Sequence, residues 1–253
     1  MIRVERLPEP ARGVGEVVLD RPEKRNALTP DMLVALTAGV EELARDDAVA
    51  AIVVRGEGDR FCAGFDLDLC RDDPSVLASL LRELSAAVRA MRRAPKPVVV
   101  GAQGAAIAGG CALLGGGDVV VIDRAGTYGY PVTRLGISPA VSAPTLEGLV
   151  GRSAARRRLL DPGLFDAEEA RRIGLGTVMV DLAEDVRPRA QIEAARLARK
   201  PPGALAATKR WCGEVEGVAG DGPFDAALGA SLALVGGDEE RALLERMWER
   251  RAR

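Results

Sequence analysis

The stretch from residue 98 to residue 118, VVVGAQGAAIAGGCALLGGGD, is where this chain has the means to do chemistry. A short β-branched run breaks into glycines and small residues before an apolar segment, which is the pattern of a buried strand, a tight turn and a helix start. Gly109 and Gly110 stand where the helix should begin. Their N–H groups are therefore covered by no side chain, and an oxygen atom of a ligand can approach them. A helix N-terminus with open N–H groups stabilises negative charge. The same glycines would equally let a helix and a strand pack closely, so the pattern alone leaves both readings open. Spacing excludes the two usual phosphate loops: Gly101, Gly104 and Gly109 do not form G-x-G-x-x-G, and no Gly-Lys-Ser/Thr follows.

The side chains that could assist are limited. The 253 residues include no histidine, which excludes Ser-His-Asp and Cys-His catalysis and removes the usual general base near neutral pH. Cys62, Cys70, Cys111 and Cys212 form no C-x-x-C pair, so no transition-metal site is expected. Carboxylates, Tyr, Lys and backbone N–H groups that stabilise an oxyanion remain. With 35 basic and 37 acidic residues and a net charge of −2, the chain has no general attraction to nucleic acid or to an anionic membrane, and any basic patch would have to be local. The first residues, MIRVERLPEPARG, carry charges where a signal peptide needs an apolar run, so a cytoplasmic protein with reduced thiols is expected.

The elements that must hold the glycine turn follow in order. Residues 14–20 read as a strand, 21–29 as a polar loop ending at Thr29, an N-cap with Pro30 at the first helical position. Leu33, Leu36, Val40 and Leu43 give helical spacing over 30–45. Residues 51–55, AIVVR, read as a strand buried on both faces, and a loop over 56–73 follows. A helix over 76–91 stops before Pro95 and Pro97, then comes the central strand-turn-helix, then a strand over 119–122. Residues 127–149 are broken by Pro131, Pro139 and Pro144. Helices are expected over 154–160, 167–173, 187–200, 204–215 and 238–250, with Arg156, Arg157 and Arg158 as a solvated face. Leu243, Leu244, Met247 and Trp248 lie on one side of the last helix, which is expected to pack on the chain's own core. Strands first and helices later suggest an α/β core with a helical C-terminal extension; 47% hydrophobic residues suffice for a sizeable core.

In this order the chain resembles the crotonase superfamily, the enoyl-CoA hydratase/isomerase family, along nearly its whole length. RPEKRNALT (21–29) looks like the family's first CoA-contact loop, GEGDRFCAGFDL (56–67) like its first oxyanion loop, and AQGAAIAGGCALLGGGD (102–118) like its second. The resemblance implies an α/β fold, a crotonase-like spiral of ββα units over residues 1–195 with the CoA-thioester site. It further implies a helical C-terminal region over 196–253 for oligomerisation and active-site cover. Subunits of this kind form homotrimers or dimers of trimers. The implied ligand is an acyl-CoA thioester, with no cofactor beyond that coenzyme A, no metal, no nucleic acid and no membrane insertion. Its carbonyl oxygen would sit between the backbone N–H groups of Phe65 and Gly109, and Lys24, Arg25, Ala27, Leu28, Ala63 and Leu67 would line the CoA pocket. A thioester carbonyl gains negative charge when its α-carbon becomes an enolate or a nucleophile adds, and fixed N–H donors act most strongly at that moment.

Two positions depart from the family. Its hydratases use a glutamate just after the G-G-C segment and another after the Pro of the following strand-loop; here these are Ala112 and Val132. Tyr130 and Asp68 are the substitutes to consider for acid/base work. Asp66 fits a structural aspartate satisfying backbone groups, and Glu147 fits a helix-dipole partner. The implied function is acyl-CoA processing by oxyanion or enolate stabilisation without standard hydratase activity. The alternatives are a non-catalytic acyl-CoA-binding protein of the same fold and a purely structural partner in a trimer. The glycines around both N–H donors favour the first two.

Overall fold

The computed structural model describes residues 1–252. Its elements are β1 (Ile2–Arg6), β2 (Val14–Leu19), α1 (Pro30–Arg45), β3 (Ala51–Gly56), α2 (Ser75–Arg93), β4 (Val98–Ala102), β5 (Ala105–Ile107), α3 (Gly109–Leu114), β6 (Val119–Asp123) and β7 (Thr127–Gly129). There follow α4 (Ala143–Val150), α5 (Arg152–Leu160), β8 (Phe165–Asp166), α6 (Ala167–Ile173), β9 (Val178–Val180), α7 (Val186–Ala198), α8 (Pro202–Val215), α9 (Gly222–Leu232) and α10 (Asp238–Ala252). No described helix is long and apolar enough to cross a membrane.

Six strands form the main sheet in the order β1-β2-β3-β4-β6-β9, and β5-β7-β8 form a small second sheet. The main sheet is parallel apart from β1, which pairs antiparallel with β2 at the edge. The chain alternates between the sheets: β4 leads to β5 and α3, and β6 leads to β7. Both faces of the main sheet are buried, as continuous valine-rich strands require. Val53, Val99 and Val121 face Val186, Ala190 and Ala194 of α7. The alternate residues Ile52, Val54, Val98, Val100, Val120 and Ile122 join α1, α2 and α3 in the larger core. On the α7 side Glu16 and Arg55 are buried as an ion pair at 2.8 Å, with Gln191 donating to the other Glu16 oxygen at 2.7 Å.

Several expectations change. The main sheet's last strand, β9, comes late in the chain, so strands do not all precede helices. β1, the short strands β5, β7 and β8, and helix α9 are additional elements. Arg158 is not on a solvated face: it is buried, paired with Glu169 and stacked on Phe165 with 4.3 Å from guanidinium carbon to ring centroid. Glu147 is not in the first turn of α4; it is exposed and faces Arg152 at 3.9 Å. Gly115, Gly116 and Gly117 follow the end of α3, and a Cβ on them would lie 2.3 Å from Thr145 Oγ1, 2.7 Å from Met91 Cβ and 2.8 Å from Val100 Cγ2 respectively. Close packing on α4, α2 and β4 therefore accounts for the glycine triplet.

α10 packs on the chain's own core through Leu244, Met247 and Trp248. Arg89 and Arg93 of α2 reach Asp221, and Arg89 also reaches Asp225 of α9. Lys209 of α8 bonds Asp118 at 2.7 Å and the carbonyls of Met91 and Lys96. These links seat the C-terminal helices on α2.

Candidate active site

The site begins with a loop that holds itself in an uncommon conformation. Arg25 and Asn26 both have positive φ, 52° and 55°, which Asn tolerates better than most residues. Asn26 is fully buried; its Oδ1 accepts from the Arg21 N–H at 2.9 Å, and its Nδ2 donates to the carbonyls of Glu57 and Arg60 at 2.8 and 2.9 Å. Arg21 donates to the Ala27 carbonyl and to Asp66 at 2.7 Å. Asp66 thus serves a guanidinium, where sequence reasoning had it satisfying backbone groups.

This loop fixes the first amide. The Leu28 N–H donates to the Gly64 carbonyl at 2.8 Å and the Asp66 N–H to the Leu28 carbonyl at 2.9 Å, a parallel bridge between Leu28 and Phe65. In such a bridge the flanking groups of residues 64 and 66 bond Leu28, so the Phe65 N–H is turned to the opposite side. A second bridge joins Cys62 to Ala106, and Ile107 N–H donates to the Cys62 carbonyl at 3.0 Å. That lacing aligns β5 beside the first loop and delivers the chain to Ala108, whose φ of 53° and ψ of −112° lie outside the ordinary regions. The Ala108 N–H donates to the Gly129 carbonyl at 2.8 Å. The next residue, Gly109, supplies the second amide. Among the described residues, neither the Phe65 nor the Gly109 N–H has an acceptor in backbone or side chain. A Cβ on Gly64 would lie 3.8 Å from the Gly109 nitrogen, and one on Gly109 would lie 3.0 Å from the Phe65 ring, so the two amide-bearing segments are in close apposition. Because α3 has only six residues, the polarity here comes from the amides themselves more than from a helix dipole.

Gly110 has a different role from the open donor its position suggested. A Cβ there would lie 2.6 Å from the Cys62 carbonyl oxygen, so the residue lets α3 close on the first loop.

Both Phe65 and Gly109 line a cavity of about 320 Å³. Ala63, Leu67, Tyr130 and Val132, singled out in the sequence, line it too; Lys24, Arg25, Ala27, Leu28, Asp68 and Ala112 do not. Lys24, Arg25 and Asp68 are exposed, Leu28 is fully buried under Gly109, and Ala112 is buried within α3. Sequence reasoning missed Leu81 and Leu84 of α2, the wall formed by Pro131, Arg134, Leu135, Ile137, Ser138, Pro139, Val141 and Ser142, and Met247 of α10. The wall belongs to the proline-broken stretch, which forms two 3-10 turns, Pro131–Leu135 and Pro139–Ser142, with Ser138 capping the second by accepting from Ala140 N–H. Among the described residues, the lining contains no Asp, Glu or Lys.

Tyr130 is buried, and its hydroxyl donates to the Cys111 carbonyl at 3.4 Å. Burial, and then the neighbouring Cys111, push its pKa well above 10. The phenol therefore stays neutral, its proton engaged by that carbonyl, and does not act as a base. Burial likewise pushes the Cys111 thiol up to about 11.

Residues 9–214 match the family model described as enoyl-CoA hydratase/isomerase. The chain is 31% identical over 205 residues to the 1,2-epoxyphenylacetyl-CoA isomerase of Escherichia coli, an alignment covering 79% of this chain and 78% of that protein. Its fold superposes on an enoyl-CoA hydratase/isomerase from Xanthobacter autotrophicus with a TM-score of 0.86, 28% identity, and coverage of 96% of this chain and 91% of the other. An enoyl-CoA hydratase from Mycobacterium avium gives a TM-score of 0.84 at 26% identity, covering 98% and 96%. With a sheet-to-sheet ββα winding, C-terminal helices and a family match over most of its length, the chain belongs to the enoyl-CoA hydratase/isomerase family, the crotonases.

Proposed function

We propose that the cavity receives the acyl part of a coenzyme A thioester, that the Phe65 and Gly109 N–H groups both donate to the thioester oxygen, and that standard enoyl-CoA hydration is not the reaction. The observation that carries this reading is the pairing, among the described residues, of two unengaged amides with a cavity wall free of carboxylates. Backbone donors aimed at a developing oxyanion are worth about 3 kcal/mol each in the transition state. They lower the cost of an enolate or a tetrahedral adduct whatever the side chains at 65 and 109. Hydration also needs a group that holds and deprotonates water. Val132 offers none where the family's hydratases have a glutamate, and Ala112 offers none at the other position. Tyr130 adds a neutral phenol at the same wall, its proton given to the Cys111 carbonyl. Lys24 and Arg25, exposed beside the site through the Ala63 N–H to Arg25 carbonyl bond of 3.0 Å, are the cations for the coenzyme's phosphates. As in its family, the assembled protein is taken to be a trimer or a dimer of trimers.

The test is to mix purified protein with crotonyl-CoA and follow enoyl absorbance together with binding by calorimetry. Saturable binding with little loss of absorbance is expected; rapid hydration overturns the reading. Incubating butanoyl-CoA with the protein in D2O separates an enzyme from a binder, since enolate formation places deuterium at the α-carbon and simple binding does not. Light scattering giving three or six times the chain mass supports the assembly.

A further inference from the structure

Resting on the thioester reading, we infer that the acyl group itself carries a carboxylate and that Arg134 recognises it: the substrate class is the monothioester of a dicarboxylic acid. Among the described residues, Arg134 is the one lining the cavity that bears a formal charge. Among the described residues its guanidinium has no ion-pair or hydrogen-bond partner within the chain. An unpaired guanidinium beside a mostly apolar cavity is half of an interaction, and its planar fork matches a carboxylate with two parallel hydrogen bonds.

The backbone beneath Arg134 is well held. It lies in the 3-10 turn Pro131–Leu135, which ends at Gly136 in the left-handed region with φ of 70° and a Gly136 N–H to Thr133 carbonyl bond of 3.2 Å. A Cβ on Gly136 would lie 2.8 Å from the Glu240 Cα, so α10 braces the turn from outside. Arg134 is exposed where it borders the cavity, which sets its charge at the rim rather than in the apolar interior. Lys24 and Arg25 stand on another loop and outside the lining. Cations for the coenzyme's phosphates are thus present elsewhere, leaving Arg134 for the acyl end.

The test compares glutaryl-CoA with pentanoyl-CoA, thioesters of equal carbon number, by calorimetry on the full-length protein and on Arg134→Gln. In the unaltered protein glutaryl-CoA is expected to bind roughly tenfold more tightly, the scale of a charge-assisted pair at a partly exposed site. In Arg134→Gln the ratio of the two Kd values is expected to fall to within about twofold. Equal affinity in the unaltered protein overturns the inference, and so does an Arg134→Gln variant that weakens both ligands by one factor and keeps their ratio, since the guanidinium would then be reading the coenzyme's phosphates. Binding of both thioesters without discrimination removes this inference alone; failure of both to bind removes the thioester reading with it.

Discussion

Gly109 and Gly110 are adjacent in the chain and do different work. At Gly109 the missing side chain leaves an amide open beside the Phe65 ring; at Gly110 it leaves room for a backbone carbonyl of the neighbouring loop. A sequence pattern of two glycines at a helix start announces both possibilities and cannot divide them between residues, because the distinction depends on a loop more than forty residues away. Gly110→Ala should therefore destabilise the protein by about 1–3 kcal/mol, since the 2.6 Å approach is to the Cys62 carbonyl and a backbone cannot swing aside as a flexible side chain can. Gly229 provides the contrast. It lies inside α9 with nothing within 4 Å of its Cβ position and no positive φ, so Gly229→Ala should stabilise by about 0.5–1 kcal/mol through helix propensity and a less flexible unfolded chain. Urea unfolding of both variants checks the opposite signs; destabilisation by Gly229→Ala, or indifference to Gly110→Ala, would contradict this account of the two positions.

At the scale of elements, what the sequence made legible was what carried its own local signals. α1 begins as read because Thr29 accepts from the Met32 N–H at 3.2 Å and Pro30 takes the first position. α6 has the bounds expected for it, with Asp166 capping by accepting from the Glu169 N–H and Gly174 closing in the left-handed region with φ of 91°. The strands β5, β7 and β8 have two or three residues each, too few to display a period, and exist because neighbouring segments offer hydrogen bonds. Arg158 was misplaced for a related reason: one residue of a basic run turned inward to meet a glutamate of the next helix. That junction has a measurable signature. Hydrogen bonds from Arg172, joined by Arg158, hold the Glu169 carboxyl down at about 2, against an ordinary value of 4.5. A carboxylate with a depressed folded-state pKa contributes stability in full above the unfolded value and loses it as pH falls through the folded one. The stability difference between the protein and Glu169→Gln should accordingly be greatest above about pH 5 and shrink between pH 4.5 and 2. Denaturant midpoints measured across that interval test it, and a difference that stays level into acid would assign Glu169 no ionic role.

At the scale of the molecule, the site lies where two sheets exchange chain. The main sheet carries the bulk of the core, while the bridges from Leu28 to Phe65 and from Cys62 to Ala106 tie two loops to the small sheet's side and set the amides. α10 contributes Met247 from the far end of the sequence, so the cavity is finished by a helix whose apolar face alone did not say which wall it would complete. The titratable groups around this cavity impose a definite pH behaviour. There is no histidine anywhere in the chain, no carboxylate or lysine among the described residues of the lining, and burial keeps Tyr130 protonated well past pH 10 with Cys111 up at about 11 behind it. A coenzyme phosphate monoester completes its own second ionisation near pH 6, so the ligand too is constant above pH 7. Thioester affinity should therefore be level from pH 7 to pH 9, with Kd varying by less than about threefold, whereas a site relying on a histidine or a lowered thiol would show a step of one proton in that range. Calorimetry with butanoyl-CoA at intervals of half a pH unit measures this directly. A one-proton step would place a titrating group at the thioester and end the account of the cavity as two amides, a neutral phenol and a guanidinium.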